Sequence, residues 1–136
     1  MTQLFVSYSR RDDALAGRLR SALGNLGMKV FDYSEIRPGD DWRHAIQKAI
    51  KGSDAYLLIA SPEATASSWT SYETGMAEAL GKRVLVLLRN GHSVTELPEE
   101  LAANQVINFD PQRPEDAAHD VAAHLAADAA SGSIGN

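Results

Sequence analysis

Tyr56-Leu57-Leu58-Ile59-Ala60 is apolar at every position, and Val84-Leu85-Val86-Leu87-Leu88 repeats the pattern further along the chain. A strand with one wet face alternates apolar and polar residues, whereas one that is apolar at both parities is covered on both sides, as central strands of a parallel sheet are. Ser61-Pro62 breaks the first run, and Arg89-Asn90-Gly91 turns the chain after the second. Two such strands predict a sheet buried between two layers of helix.

The rest of the chain supplies those layers. Leu4-Phe5-Val6 reads as an earlier strand that gives way to Ser7 to Asp13, and Leu15, Leu19, Ala22, Leu23 and Leu26 then repeat at helical spacing up to a stop at Gly27, with Arg18 and Arg20 facing outward. Met28 to Phe31 is a second strand, and Asp32 to Asp40 an exposed loop with a Pro38-Gly39 turn. Asp40 or Asp41 caps a helix whose stripe is Trp42, Ala45, Ile46, Ala49 and Ile50, with Trp42 expected in the core. After the first central strand, a loop to Ser67 leads into a helix capped by Ser67 or Ser68 and ended by Gly81. Residues 94–104 are irregular, with a short helical turn around 98–103, and Val106 to Phe109 forms a last strand. Pro114 opens a final helix carrying Ala118, Val121, Ala122 and Leu125. Strand and helix alternate five times, which predicts a flavodoxin-like α/β fold: a doubly wound five-stranded parallel sheet of order 2-1-3-4-5, with helices on both faces. Residues 1–130 make one domain and residues 131–136, rich in Ser and Gly, a flexible tail or linker.

Composition narrows the function. A net charge of −5 gives no basic surplus for a dedicated nucleic-acid binder, and without cysteine there is no disulfide framework, zinc knuckle or thiol nucleophile. No apolar run approaches the ~20 residues of a membrane span, and the N-terminus enters a strand at once instead of a signal sequence. The expectation is a cytoplasmic domain that touches neither membrane nor nucleic acid, and one that equally suits a piece cut from a longer protein. His44, His92, His119 and His124 show no metal spacing, so no metal site is expected, and the absence of G-x-G-x-x-G and G-x-x-x-x-G-K-[ST] runs speaks against dehydrogenases and P-loop enzymes.

One residue breaks the pattern. In Ser68-Trp69-Thr70-Ser71-Tyr72-Glu73-Thr74-Gly75-Met76-Ala77-Glu78-Ala79-Leu80, helical spacing puts Trp69, Tyr72, Met76, Ala77 and Leu80 on one side, and Glu73 falls inside that stripe, one turn from Trp69. A carboxylate there must be paired, hydrogen-bonded, protonated or at the lip of a cavity, because an isolated buried charge costs several kcal/mol. It either caps backbone or pairs with an arginine, or it does chemistry. Ligands of such sheets gather at the carboxyl ends of the strands, and the helix of Glu73 leaves one of the loops there. Arg10, Arg11 and Arg37 lie on two of the same loops, a positive edge suited to phosphate.

Taken together, these segments resemble the Toll/interleukin-1 receptor (TIR) domain family in its bacterial-type branch, over almost the whole chain. Phe5-Val6-Ser7-Tyr8-Ser9-Arg10-Arg11-Asp12 is similar to the family's first box, Asp32 with Ile36-Arg37-Pro38-Gly39 to its BB loop, Gly39-Asp40-Asp41-Trp42 to the usual helix entry, and Ser68-Trp69-Thr70-Ser71-Tyr72-Glu73 to its S-W-x-x-x-E segment. The Phe-Trp pair of receptor-type members is missing near the last helix, which speaks against a receptor or adaptor. Resemblance to the catalytic members implies cleavage of the nicotinamide–ribose bond of NAD+, with Glu73 as catalytic glutamate, giving nicotinamide and ADP-ribose or a cyclic ADP-ribose isomer, as in bacterial immune signalling. NAD+ is then a substrate and no cofactor is implied.

The same resemblance implies that Ser7, Tyr8, Arg10, Asp32, Ser34, Arg37 and Trp69 bind the substrate, with Tyr8 and Trp69 near a base and Asp32, Ser34 and Arg37 near ribose or phosphate. Ile36, Pro38 and Gly39 fall in the loop through which catalytic relatives associate with further TIR domains, so self-association is expected to complete the site. Each residue has a plainer role open to it: Ser7 and Tyr8 end a strand, Trp69 packs a helix on a sheet, and Asp32 is a turn residue. Two other functions stay open, a non-enzymatic TIR–TIR interaction module in which Glu73 is structural, and a nucleoside-ribosyl transferase on the same kind of sheet.

Overall fold

The two central strands lie side by side in a five-stranded, all-parallel sheet. The computed structural model describes residues 2–135, with side chains as far as residue 127. Its strands are β1 (Gln3–Ser7), β2 (Lys29–Phe31), β3 (Ala55–Ile59), β4 (Arg83–Arg89) and β5 (Gln105–Phe109), in the order β2-β1-β3-β4-β5. The helices are α1 (Asp13–Asn25), α2 (Trp42–Lys51), α3 (Pro62–Thr65), α4 (Ser68–Ala79), α5 (Glu99–Ala102) and α6 (Pro114–Gly135). The expected tail at 131–136 falls where side chains and the last residue lie outside the described residues. It stays an expectation.

Topology decides which helix covers which face. From β1 the chain steps one way to β2, then reverses across β1 to β3 and continues through β4 to β5. Right-handed crossovers therefore put α1 on one side of the sheet and α2 to α5 on the other, with α6 returning beside α1. The period-two alternation of the strands matches. Leu4, Val6, Leu57, Ile59, Leu85 and Leu87 meet Leu19 and Leu23 of α1 and Ala118 and Val121 of α6. Phe5, Tyr56, Leu58, Val84 and Val86 meet Ile46 and Ile50 of α2, Ala64 of α3, Ala77 of α4 and Leu101 of α5. Each fully buried Leu or Ile contributes roughly 1.5–3 kcal/mol. The reversal at β1 opens a crevice between the carboxyl ends of β1 and β3, the usual ligand position in such sheets.

The structure corrects the expected stripe on α4. Its buried residues are Thr70, Glu73, Thr74 and Ala77, at spacing i, i+3, i+4 and i+7, while Tyr72 and Leu80 are 44% and 42% exposed. The helix turns Thr70, Glu73, Thr74 and Ala77 to the sheet, where Glu73 finds its hydroxyl partners, and Trp69 and Met76 pack at the edge of that face. Trp42, expected in the core, is 47% exposed for a related reason. It begins α2, beyond the sheet edge, and packs across the surface on Trp69 with ring centroids 4.7 Å apart, while Trp69 stacks on Tyr72 at 5.0 Å. Leu26, expected on the buried stripe of α1, lies past the helix end and is 38% exposed. The loop before α4 is itself partly helical, as Ser61 caps the short α3.

Candidate active site

Glu73 has no solvent exposure, and three hydroxyls account for its carboxylate. Ser7 ends β1 with its side chain on the same side as Phe5, and its Oγ donates to Oε1 at 2.9 Å. Tyr56, on β3, is in the same phase, and its hydroxyl donates to Oε1 at 3.1 Å. Tyr33 follows β2, and its hydroxyl spans both oxygens at 2.8 Å each while lying 2.8 Å from Ser7 Oγ. Glu73 comes down from α4 to meet them. The carboxylate thus sits where four elements converge, at the carboxyl ends of the strands.

Electrostatics at this point are a contest. Burial pushes the Glu73 pKa up, and the hydrogen bonds from Tyr33, Ser7 and Tyr56, with a smaller contribution from Trp69, pull it back without cancelling the rise. The contact triangle of Ser7 Oγ, Tyr33 hydroxyl and Glu73 Oε1 brings only two hydroxyl protons to three short contacts; a proton held by Glu73 would complete it. Tyr33 and Tyr56 are both driven above the ordinary tyrosine range, by burial first and then by the Glu73 charge, so both remain donors.

Tyr33 is also a wall. On its outer side lies an open cleft of about 410 Å³, lined by Tyr8, Arg10, Asp13, Tyr33 and Ser34, within the usual range for small-molecule sites. The Tyr8 hydroxyl there is pushed up to about 12, by burial first and then by the charges of Asp32 and Asp13. Tyr33 belongs to a 3-10 turn, Tyr33–Glu35, that Asp32 and Glu35 close reciprocally as a capping box. Arg20 of α1 clamps that turn from outside: it bonds Asp32 at 3.2 Å and Ser34 Oγ at 2.8 Å and approaches Glu35 at 3.7 Å. Beyond it, Arg37 to Asp40 forms a turn with Gly39 at φ 91°, a left-handed value that suits Gly in a type II turn.

The expected site residues separate into groups. Ser7 is bonded directly to Glu73, and Trp69 lies beside it on the same helix. Tyr8, Arg10 and Ser34 line the outer cleft. Asp32 is buried and spent on Ser34 and Arg20, so it shapes the turn that carries Tyr33. Arg37, Pro38 and Gly39 are exposed on the loop, with Ile36 packed partly beneath. Of the positive edge, Arg11 pairs with Glu63 at 3.1 Å.

Three residues were not expected: Tyr33, Tyr56 and Arg20. Tyr56 carried a signal, since a tyrosine in an otherwise aliphatic buried strand needs a partner for its hydroxyl. Its phase with Phe5 and Ser7 points to the face where Glu73 waits. A second cavity of about 330 Å³, lined among others by Ala60, Ser61, Leu88, Arg89, His92 and Glu96, opens beyond β3 and β4 and does not include Glu73. Among the described residues, no group of three or more His, Cys, Asp or Glu could hold a metal ion, and no helix is long and apolar enough to cross a membrane.

A parallel sheet of this order with a buried glutamate at its switch point suits more than one kind of ligand-binding domain, and sequence comparison decides the family. The chain matches the TIR domain family model over residues 4–125, so it belongs to the TIR domain family. It is 29% identical over 110 residues to the 2' cyclic ADP-D-ribose synthase BtTIR of Bacteroides thetaiotaomicron; the match takes in 79% of this chain and 36% of that protein's length. Among solved structures, the fold is similar to a Clostridium botulinum CMP N-glycosidase, BcmB (TM-score 0.65, 18% identity, 90% of this chain and 99% of that one). It is also similar to the TIR domain of the Toll-related receptor TRR-2 from Hydra magnipapillata (TM-score 0.67, 18% identity, 78% and 82%).

Proposed function

We propose that this TIR domain cleaves the nicotinamide–ribose bond of NAD+, with Glu73 as its catalytic residue, giving nicotinamide and ADP-ribose or a cyclic isomer. The observation that carries the reading is a lone buried carboxylate held by hydroxyls at the switch point of the sheet. Similarity to a cyclic ADP-D-ribose synthase supports the substrate class.

The chemistry suits one carboxylate. Ordinary glycosidases use two, because an alkoxide leaving group must be protonated. Here the C1′–N bond breaks with its electron pair going to the pyridinium nitrogen, so nicotinamide leaves neutral and no general acid is required. An ionised Glu73, against a ribose hydroxyl or C1′, offsets the positive charge that develops on the ribose. Water, or a nucleophilic atom of the adenine or its ribose, then bonds to C1′ and releases a proton.

Tyr33 has to move first. Its hydroxyl occupies both oxygens of Glu73, as a ribose hydroxyl would in the reactive complex. Tyr33 sits on the loop that resembles the self-association loop of catalytic relatives, and its turn is fixed to α1 chiefly by Arg20. Contact with a neighbouring TIR domain that lifts this loop would bare the carboxylate, so activity is proposed to require self-association. Such control suits a cytoplasmic immune or signalling role. The closed state is what favours the second reading, an interaction module in which Glu73 only anchors the loop.

Nicotinamide release from NAD+ at high protein concentration, wild type beside Glu73→Gln, separates the two. The expected result is release by wild type and loss in the variant, with the chromatographic product peak dividing hydrolase from cyclase. If concentrated, artificially clustered wild type releases nothing, the interaction module takes its place.

A further inference from the structure

Glu73 is not held symmetrically. Oε1 receives Ser7, Tyr56 and Tyr33, while Oε2 receives Tyr33 alone. The three donors also differ in how firmly they are fixed. Tyr33 rides on a 3-10 turn with exposed neighbours at Ser34 and Glu35. Tyr56 has no exposure, lies on a strand paired on both sides by β1 and β4, and stacks on Phe5 with ring centroids 5.7 Å apart and planes 13° from parallel. Full burial and the stack on Phe5 hold its ring, and with it the hydroxyl, in place. Once Tyr33 withdraws, Oε1 keeps the hydroxyls of Ser7 and Tyr56, and Oε2 keeps no hydroxyl donor among the described residues, the Trp69 indole being the one further donor beside the carboxylate.

We propose that Tyr56 is a positioning residue for Glu73, whose hydroxyl holds Oε1 throughout the opening of the site, so that Oε2 is the oxygen presented to the substrate. The proposal rests on the reading of Glu73 as catalytic and deepens it. The groups facing Glu73 are the hydroxyls of Ser7 on β1, Tyr33 after β2 and Tyr56 on β3, with the Trp69 indole on its own helix; no charged side chain is hydrogen-bonded to it among the described residues. A donor that remains through the reaction stabilises the charged carboxylate in free and substrate-bound states alike. A donor that departs does so only in the free state.

That difference is measurable. The acid limb of kcat/KM reports the free site and that of kcat the loaded one. Tyr56→Phe, which keeps the ring and its stacking, is expected to move both limbs to higher pH by about one unit, with kcat down about tenfold at neutral pH. Tyr33→Phe should move the kcat/KM limb alone. Site-specific 3-fluorotyrosine at position 56, a stronger donor in the same shape, should move both limbs down and also keeps the test open if the Phe variant folds poorly.

The Glu73 carboxyl is titrated in parallel by 13C NMR in glutamate-labelled protein, assigned with Glu73→Gln and needing no turnover. A rise in Tyr56→Phe and a fall with fluorotyrosine support the proposal. An unmoved Glu73 titration, or Tyr56→Phe limbs that split as those of Tyr33→Phe do, overturns it. A moved titration in a wild type that releases no nicotinamide keeps the grip of Tyr56 on Oε1 and removes the catalytic reading instead.

Discussion

The two faces of the sheet are built from the same strands and do different things. On the side of α1 and α6, the strands present Leu4, Val6, Leu57, Ile59, Leu85 and Leu87 to an apolar layer, and the buried carboxylates at the start of α1 and after β2, Asp12 and Asp32, each meet an arginine, Arg89 and Arg20. On the other side, Phe5, Leu58, Val84 and Val86 make an equally dry floor, but the same face also carries Ser7, Tyr56 and Tyr33, whose hydroxyls converge on Glu73. One residue's shift along a strand exchanges these environments, because alternate side chains point to opposite faces. Both faces bury apolar side chains, and the second also buries a carboxylate against its own preference.

The sharpest way to break this contrast is at Glu73. Glu73→Gln is expected to lower nicotinamide release at least about a thousandfold while improving the fold. Burial raises the folded pKa of Glu73 above its unfolded value, so the folded chain binds the proton more tightly. Stability is therefore full below the unfolded carboxylate range, falls as pH rises toward the folded pKa, and stays reduced above it. The Gln variant lacks that slope, and its Tm should exceed that of wild type at pH 8, with the gap closing below the ordinary carboxylate range. Thermal melts across pH test it, and a gap that widens on acidification would reverse the sign of the argument.

Leu57→Ala makes the opposite change on the opposite face. Leu57 is fully buried among β1, β4 and the α1/α6 layer, and its truncation should cost about 2–5 kcal/mol in chemical denaturation. The loss should not vary between pH 5 and 8, since nothing that titrates is involved. Equal pH slopes for Leu57→Ala and wild type, against a changed slope for Glu73→Gln, would trace that part of the pH dependence to Glu73 and its face of the sheet.

A smaller effect is expected at the clamp. Arg20 holds the turn of Tyr33 through Asp32 and Ser34 but is itself about one-third exposed. Arg20→Gln should loosen the turn more than the fold, raising nicotinamide release at low protein concentration by several-fold with less than about 1 kcal/mol lost in stability. Reduced release in both dilute and concentrated samples would show instead that Arg20 builds the site in its open form.

Much of this arrangement was legible because burial and period are written locally. The apolar runs at 56–60 and 84–88 define the central strands, and Glu73 announced itself as a charge on a helix face that had to be buried. Tyr33 and Tyr56 were not legible as its partners, since nothing local says that residues 40 and 17 positions away share a carboxylate with it. Arg20 read as an outward residue of α1, and only the packing of β2 beside β1 brings Asp32 within its reach. The side chains of α4 misled in a different way. Hydrophobicity placed Tyr72 and Leu80 inward, whereas a polar network had already claimed that face.

The aromatic ladder tests the last point at the smallest scale. Trp42, Trp69 and Tyr72 form a surface cluster, Trp42 edge-on to Trp69 and Trp69 stacked on Tyr72, with the Arg43 guanidinium 5.5 Å from the Trp42 ring centre and Gln47 bonded to the Tyr72 hydroxyl at 2.8 Å. Had Trp42 been a core residue, its replacement by Ala would cost about 3–5 kcal/mol. Half-exposed at a helix start, it contributes ring contact worth about 0.5–1.5 kcal/mol, and Trp42→Ala should unfold in urea within that margin of wild type. Trp69 is then the informative companion, because it also touches the hydrogen-bonded group around Glu73. If Trp42→Ala leaves the acid limb of nicotinamide release in place while Trp69→Phe moves it to higher pH, the ladder divides at Trp69 into an outer part that packs and an inner part that tunes the carboxylate. A shift in both would mean that the stack transmits its packing to Glu73 as a unit, and the surface would then belong to the site.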